Sequence, residues 1–391
     1  MLPSSHKLAA GERRARPGLA DISRQYGESY RKTHCLPASH LRVMRAVEAC
    51  RTAELGGHLK QCDTCGFEHP TYNSCRNRHC PKCQSLAKAK WLNKQSSELL
   101  PVGYFHLVFT LPHEFNRLIL AHKKILFALL FKAVSETLLE FGRTRLGGTV
   151  GITTVLHTWD QTLKDHFHLH CLIPAGALSV DHSRWIGARP NFLFPVKALS
   201  RVFRGKFLDL LKQACDQGKI PPPSQELKEL GKKNWVVYAK KPFGSPLTVL
   251  DYLGRYTHRV ALSNNRILAV ENGQVTFSYR DRRDKDRLKS MTLDAEEFIR
   301  RFLLHVLPDG FMRIRHFGFL ANRAKKHALP QCRKLLGLNP ALPEIPQKSA
   351  HDLLLELTGI DLSRCPRCQT GTMIVVGELP RISYSAPWDS S

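Results

Sequence analysis

The sequence predicts an α+β protein with a helical, cysteine-rich block ahead of a sheet-centred body. Three observations carry that prediction. Helical periodicity over about 20–31 and 38–51 runs into a stretch holding seven cysteines between Cys35 and Cys83. Apolar, β-rich runs follow at Tyr104–Leu111 (YFHLVFTL), Thr153–Gln161 (TTVLHTWDQ) and His166–Ile173 (HFHLHCLI). Helical segments at 115–141 and 197–216 are mixed among them, a pattern of strands and helices in one body.

In chain order, residues 1–18 form a polar, basic, flexible N-terminus. Residues 19–100 form a helical zinc-binding, DNA-binding domain, closed by a basic helix that reaches to about 99. Residues 101–326 are the catalytic body. In it Pro221, Pro222 and Pro223 mark a loop, Trp235–Lys240 is strand-like, 246–257 is helical after Gly244-Ser245-Pro246, and short strands at about 266–280 precede a helix at 294–305. Residues 327–391 are Leu- and Pro-rich, carry a second cysteine pair and end in a loose tail.

Composition limits the function classes. The 59 Lys and Arg against 33 Asp and Glu leave a net charge of +26, so a polyanion is the expected partner, nucleic acid ahead of a membrane surface. The most apolar stretch, Leu118–Val134, is broken by His122, Lys123 and Lys124 and reads as an amphipathic helix, not a membrane crossing. The N-terminus lacks the apolar segment of a secretory signal, so a cytoplasmic setting is expected. There clustered cysteines favour metal over disulfides.

Cys62-x2-Cys65 is followed, after fourteen residues, by Cys80-x2-Cys83. Each CxxC turn presents two sulfurs, and the spacing predicts one structural zinc held by these four thiolates, with no open position for catalysis. Cys50, His58, Cys75 and His79 are candidates for a second ion. Cys365-Pro-Arg-Cys368 is half a site that could close with Cys332, with a partner chain or with nothing. Arg76, Arg78 and Lys82 lie around the metal and are expected to contact a DNA backbone.

His166, His168 and His170 alternate, so in a strand they share a face, with Phe167 and Leu169 turned into the core. Imidazoles on one face form a metal or phosphate site. If the preceding strand pairs as a hairpin, Gln161 or Asp160 supplies an oxygen ligand, which suits Mg²⁺ or Mn²⁺ acting on a phosphodiester. In Val249–Val260 (VLDYLGRYTHRV), Tyr252 and Tyr256 lie one helical turn apart beside Arg255, His258 and Arg259. A tyrosine hydroxyl can attack a phosphodiester if a metal polarises the phosphate and cations hold the geometry. The chain has no G-x4-G-K-[ST] loop, so ATP is not expected.

These residues also carry a resemblance. His168-Leu169-His170 looks like the His-hydrophobic-His signature of HUH endonucleases, and Tyr252-Leu-Gly-Arg-Tyr256 looks like their paired nucleophiles. The block YNSCRNRHCPKCQ at 72–84 resembles the zinc-binding N-terminal domain of the insertion-sequence ninety-one family of rolling-circle transposases. So do ACRTAELGGH at 49–58, YFHLVFTLPHEF at 104–115, YLGRYTHRVALSN at 252–264 and EEFIRRFLLHVLPDGFMRIRHFGFLANR at 296–323. The resemblance spans about residues 20–325. It implies a central antiparallel sheet bearing the two histidines, with a tyrosine-bearing helix nearby. It implies cleavage and rejoining of single-stranded DNA at transposon ends and target DNA through a 5′-phosphotyrosine, and a nucleoid-associated protein in a bacterial cytoplasm.

Residue by residue, His168 and His170 match the metal ligands, Gln161 a polar third ligand, and Tyr252 and Tyr256 the nucleophiles. Lys240, Arg255 and Arg259 are the candidate phosphate clamps. Three departures stand out: Pro174-Ala175-Gly176-Ala177 follows the histidine motif where a glycine run is usual, Phe167 stands where proline is common, and Asp160 where glycine is common. Three other readings compete with this one: a replication initiator or relaxase with the same chemistry, a zinc-ribbon DNA-binding protein without catalysis, and a metal-dependent hydrolase using water.

Overall fold

The computed structural model describes residues 16–382 apart from 223, 225–228, 244–247, 250–253, 255–260, 345 and 347. Its central feature is a seven-stranded antiparallel sheet. The strands are β3 (Tyr104–Thr110), β4 (Gly148–Trp159), β5 (Asp165–Pro174), β6 (Gly176–Ser179), β7 (Trp185–Gly187), β8 (Val237–Phe243) and β12 (Ile314–Gly318). They run in the order β7-β6-β4-β5-β3-β8, with β12 alongside β4. The expected α+β class with a central antiparallel sheet is what the chain forms. Among the described residues no helix is long and apolar enough to cross a membrane.

Alternation in β5 decides which face is which. Phe167, Leu169, Cys171 and Ile173 point with Leu107 and Phe109 of β3 into a core roofed by two helices, Lys123–Phe141 and Val196–Asp216. Edge-to-face aromatics fill it: Phe109 on Phe203, Phe115 on Phe207, and Trp235 against both Phe203 and Phe207. The opposite face carries His168 and His170, and a second layer forms over part of it. Tyr104, Leu172 and Val249 are buried there against Trp91 and Leu92 of α3 (Pro81–Glu98). Gly318 lets β12 close on β4. Its φ is +62°, and a Cβ there would lie 1.7 Å from the carbonyl oxygen of Val150, so no other residue fits without moving the strand.

The N-terminal helices α1 (Leu19–Thr33) and α2 (Ala38–Glu48) do not stand alone. They share a core with the three-stranded sheet β9 (Ile267–Glu271), β10 (Gln274–Asp281) and β11 (Arg287–Asp294) and with the helix Ala295–Leu304. Asn264 pins the start of α1 by accepting the Leu19 N–H at 3.1 Å.

The cysteines correct the expected zinc site. Cys62 and Cys65 do not share a site with Cys80 and Cys83. Cys50, Cys75, Cys80 and Cys83 form one group and Cys62, Cys65, Cys365 and Cys368 another, the sulfurs within each lying within 4.8 Å of one another. Sulfur separations are 3.6 Å for Cys50–Cys83, Cys75–Cys83 and Cys50–Cys80, and 3.7 Å for Cys62–Cys368 and Cys65–Cys365. Four sulfurs at ~2.3 Å from one zinc stand ~3.8 Å apart at the corners of a tetrahedron. A disulfide needs ~2.05 Å. Both groups are therefore thiolate cages of zinc dimensions. His58 and His79 belong to neither, and Cys332 is buried instead beside Leu329.

The physical reason is chain closure. β1 (Gly57–Cys62) pairs on one side with β2 (Glu68–Tyr72) and on the other with β13 (Met373–Leu379), with Cys62 opposite Met373. That register sets the C-terminal CxxC turn on the Cys62–Cys65 turn. Asp63 accepts the Thr372 N–H at 2.8 Å and donates its own N–H to the Thr372 carbonyl at 3.1 Å. The other cage sits at the start of α3, where Cys80 is the N-cap and Pro81 the first helical residue. The partial positive charge of a helix N-terminus suits thiolates there.

Replacing Cys365 and Cys368 together by Ser should remove about one zinc per chain and release β13, so that limited proteolysis cuts the C-terminal region first. Replacing Cys80 and Cys83 should remove the other zinc and disturb α3. Metal analysis beside proteolytic mapping checks both outcomes. Loss of both ions from the Cys365/Cys368 variant would contradict two independent cages.

Candidate metal and DNA-processing site

The β4–β5 hairpin builds the site. Its register sets His157 opposite His168 and Val155 opposite His170, while β3 sets Val108 opposite His170. His157, His168 and His170 are all buried and bring their ring nitrogens within 4.8 Å of one another. The ring centroid of His157 lies 4.5 Å from that of His170 and 5.4 Å from that of His168, and the His157 ring stacks on Trp159.

Hydrogen bonds orient two of the rings. The Nδ1–H of His168 donates to the His166 carbonyl at 2.9 Å, which turns its Nε2 toward the cluster. The Nε2 atoms of His168 and His170 are 3.1 Å apart. Two nitrogens bound to one ion at ~2.1 Å stand ~3.0 Å apart at a right angle and ~3.4 Å apart at a tetrahedral angle. The spacing therefore fits two ligands of one divalent ion. On its far side, Nδ1 of His170 lies 2.9 Å from Nε2 of His106 on β3, with the two rings stacked. Burial, reinforced by the Lys240 ammonium, holds His106 down at about 3, so its ring is neutral at pH 7.

The third group differs from the expected one. Gln161 lies beyond Trp159 in the hairpin turn, four residues past His157, where its carbonyl accepts from Arg266. The hairpin centre falls so that His157, not Gln161, stands across from His168. Asp160 is likewise committed to the turn, accepting the Thr162 and Lys164 N–H groups. His166, the outermost of the alternating three, is exposed at the strand end. His157 and His106 were missed by sequence reasoning. The signal for His157 was its alternation with Trp159 just before the turn; His106 lies in a strand with no second histidine to mark it.

The expected basic residues separate by burial. Lys240 is exposed on β8 directly opposite His106. Arg76 and Lys82 are exposed beside the Cys50–Cys83 cage. Arg78 departs from its expected role as a phosphate contact. Its guanidinium is half-buried and donates to the carbonyls of Pro308, at 2.7 Å, and Phe311, so it ties the zinc loop to the segment before β12. Tyr252, Arg255, Tyr256 and Arg259 lie outside the described residues. Two neighbours in their segment are described. Val249 is buried against Tyr104 and Leu172, and Gly254 is buried so close to α3 that a Cβ would meet Lys88 Cε at 2.7 Å and Leu92 Cδ1 at 2.9 Å. Val249 thus packs on the histidine-bearing face, and Gly254 against the helix that the first thiolate cage starts.

If His157 completes the ligand set, His157→Ala should weaken Mn²⁺ binding at least ~10-fold and Gln161→Ala less than ~2-fold. Manganese titration of the zinc-loaded protein, followed by electron paramagnetic resonance, measures both. The reverse ranking would restore Gln161 as the third ligand.

Comparison with known proteins finds relatives along most of the chain. A family model described as "Transposase zinc-binding domain" covers residues 22–111, and one described as "Putative transposase" covers residues 151–328. The first includes the Cys50–Cys83 cage. The second includes His157, His168, His170 and both tyrosines. Cys365 and Cys368 lie beyond both. The chain is 49% identical over 381 residues to "Putative transposase y4qJ" of Sinorhizobium fredii (strain NBRC 101917 / NGR234), covering 93% of this chain and 96% of that protein. It is 30% identical over 339 residues to the transposase for insertion sequence element IS801 of Pseudomonas savastanoi pv. phaseolicola, covering 82% of this chain and 79% of that protein. No solved structure matches the chain. Identity at these levels along most of both lengths, together with the two family models, means that the chain belongs to the IS91 family of transposases, enzymes that cut DNA and transfer its strands.

Proposed function

We propose that this transposase cuts and rejoins single-stranded DNA at the ends of its element by tyrosine transesterification. The observation that supports this most directly is the convergence of His157, His168 and His170 on one sheet face, with Val249 packed on that face and Gly254 against the helix that crosses it. A divalent ion held by the three imidazoles would supply Lewis-acid polarisation of the scissile phosphate. Three nitrogen donors favour Mn²⁺ over Mg²⁺, which prefers oxygen ligands and binds imidazole weakly.

The chain's own residues carry the rest. The hydroxyl oxygen of Tyr252 or Tyr256 attacks phosphorus in line. The tyrosine O–P bond forms as the bond from phosphorus to the 3′-oxygen breaks. The phenol gives up its proton, and the departing 3′-oxygen gains one. The products are a 5′-phosphotyrosine and a free 3′-OH. Because one phosphodiester replaces another, bond energy is kept and the 3′-OH can reverse the step without ATP. The second tyrosine permits a second cut while the first end is still attached. A phenol of pKa ~10 is a weak nucleophile at neutral pH, so cations that hold the phosphate and offset charge at the attacking oxygen matter. Lys240 on β8, with Arg255 and Arg259 in the tyrosine segment, fits this task. Arg76 and Lys82 provide a second, sequence-independent grip on the DNA backbone near the zinc cage.

The test uses single-stranded element ends labelled on either side of the cut, incubated with the full-length protein and resolved on a denaturing gel. A protein–DNA adduct should retain the label 3′ of the cut. It should vanish in the Tyr252→Phe/Tyr256→Phe protein and fall at least ~100-fold in His168→Ala. Mn²⁺ should support it at concentrations ~10-fold below those needed with Mg²⁺. Cutting without an adduct would replace tyrosine by water as the nucleophile. An adduct that survives the double substitution would exclude these two tyrosines.

A further inference from the structure

His106 stands outside every role assigned so far, yet it is a polar side chain buried within the central sheet. It is buried at 4% exposure on β3, within the central sheet. Its Nε2 lies 2.9 Å from Nδ1 of His170, and the two rings stack with centroids 5.1 Å apart and planes 13° apart. β3 brings it there by register. Val108 is opposite His170, so His106 is the diagonal neighbour on the same face.

The chemistry of a neutral imidazole gives this contact a consequence. Such a ring carries one N–H and one lone pair. His168 has its proton on Nδ1, because that nitrogen faces a carbonyl oxygen, which can only accept. Its Nε2 therefore offers a lone pair to the cluster. His170 can offer its own Nε2 lone pair to the same point only when its proton sits on Nδ1. A buried N–H needs an acceptor, and at 2.9 Å the group that meets it is Nε2 of His106. Accepting there places the His106 proton on its own Nδ1.

We propose that His106 is a positioning residue for the metal site. It fixes the tautomer and the ring plane of His170, so that His170 Nε2 joins His168 Nε2 as a ligand. This rests on the reading of the three imidazoles as a metal site and adds the residue that sets one of them. Metal-bound histidines commonly donate their second N–H to such a partner, and losing the partner weakens metal binding ~10–100-fold.

The experiment titrates Mn²⁺ alone into the full-length, zinc-loaded protein and follows the free ion by electron paramagnetic resonance. His106→Leu keeps an apolar side chain of similar bulk but no acceptor, and is expected to raise the Mn²⁺ dissociation constant ~10–100-fold. His106→Gln restores an acceptor through its amide oxygen and is expected to stay within ~3-fold of the parent. Zinc content and thermal midpoint are recorded for each variant, and His168→Ala serves as the ligand control. Equal affinity in His106→Leu and the parent would overturn the proposal. So would a Gln variant, folded and zinc-loaded, that binds as weakly as the Leu variant, since loss of shape would then explain both. Parent protein whose Mn²⁺ binding does not respond to His168→Ala would overturn the metal-site reading itself, and that outcome is distinct from the other two.

Discussion

The β4–β5 hairpin is the constraint on which the site depends. Its side chains alternate, so a slip of one residue would turn every histidine into the helix-roofed core and every core residue outward. The observed register is held from both sides. Phe167, Leu169, Cys171 and Ile173 are buried against the helices on one face. Beyond Trp159, the turn is fastened by Asp160, which accepts the N–H groups of Thr162 and Lys164. With those anchors in place, His157 must stand across from His168. The placement of the three histidines is thus a by-product of core packing.

Around that hairpin, the two thiolate cages do different structural work. The Cys50–Cys83 cage is buried within the core that joins α1 and α2 to β9–β11, and it sets the first turn of α3. That helix then runs over the histidine-bearing face and meets Gly254. The cage that starts α3 therefore also supports the helix against which Gly254 packs. The second cage joins two stretches of chain some 300 residues apart, Cys65 and Cys365. It turns β1, β2 and β13 into one small sheet, which has little apolar core of its own beyond Cys62, Cys365 and Met373. Modules this small commonly need a metal to stay folded.

Charge is sorted with equal economy. The excess of 26 positive charges would destabilise a compact chain if it were spread through the interior. Most cations are at the surface, but a few are half-buried and their donors are used on backbone carbonyls. Lys123 donates to the carbonyls of Leu304 and Val306, and Arg78 to those of Pro308 and Phe311. Lys123 is held down at about 8 by burial. These cations tie the segment before β12 in place, and they are not available to DNA. Arg76, Lys82 and Lys240, by contrast, are exposed. Counting basic residues therefore measures attraction to a polyanion, whereas burial decides which of them can touch it.

What the sequence determined by itself was local. Alternation put His168 and His170 on one face of a strand, CxxC spacing made each cysteine pair a two-sulfur turn, and charge pointed to DNA. These are properties of a few consecutive residues, set by the strand repeat of two and by the geometry of a tight turn. The tertiary structure decided what each half-site meets. A CxxC turn is equally satisfied by any second pair, so spacing favoured the nearest one, Cys80 and Cys83; the register of β13 on β1 brought Cys365 and Cys368 instead. In the same way strand register set His157, not Gln161, across from His168, and β3 brought His106 from a separate part of the chain. A metal ion needs its ligands within a few ångströms of one another, and that closeness is set by strand pairing between distant parts of the chain, which no local pattern of residues encodes.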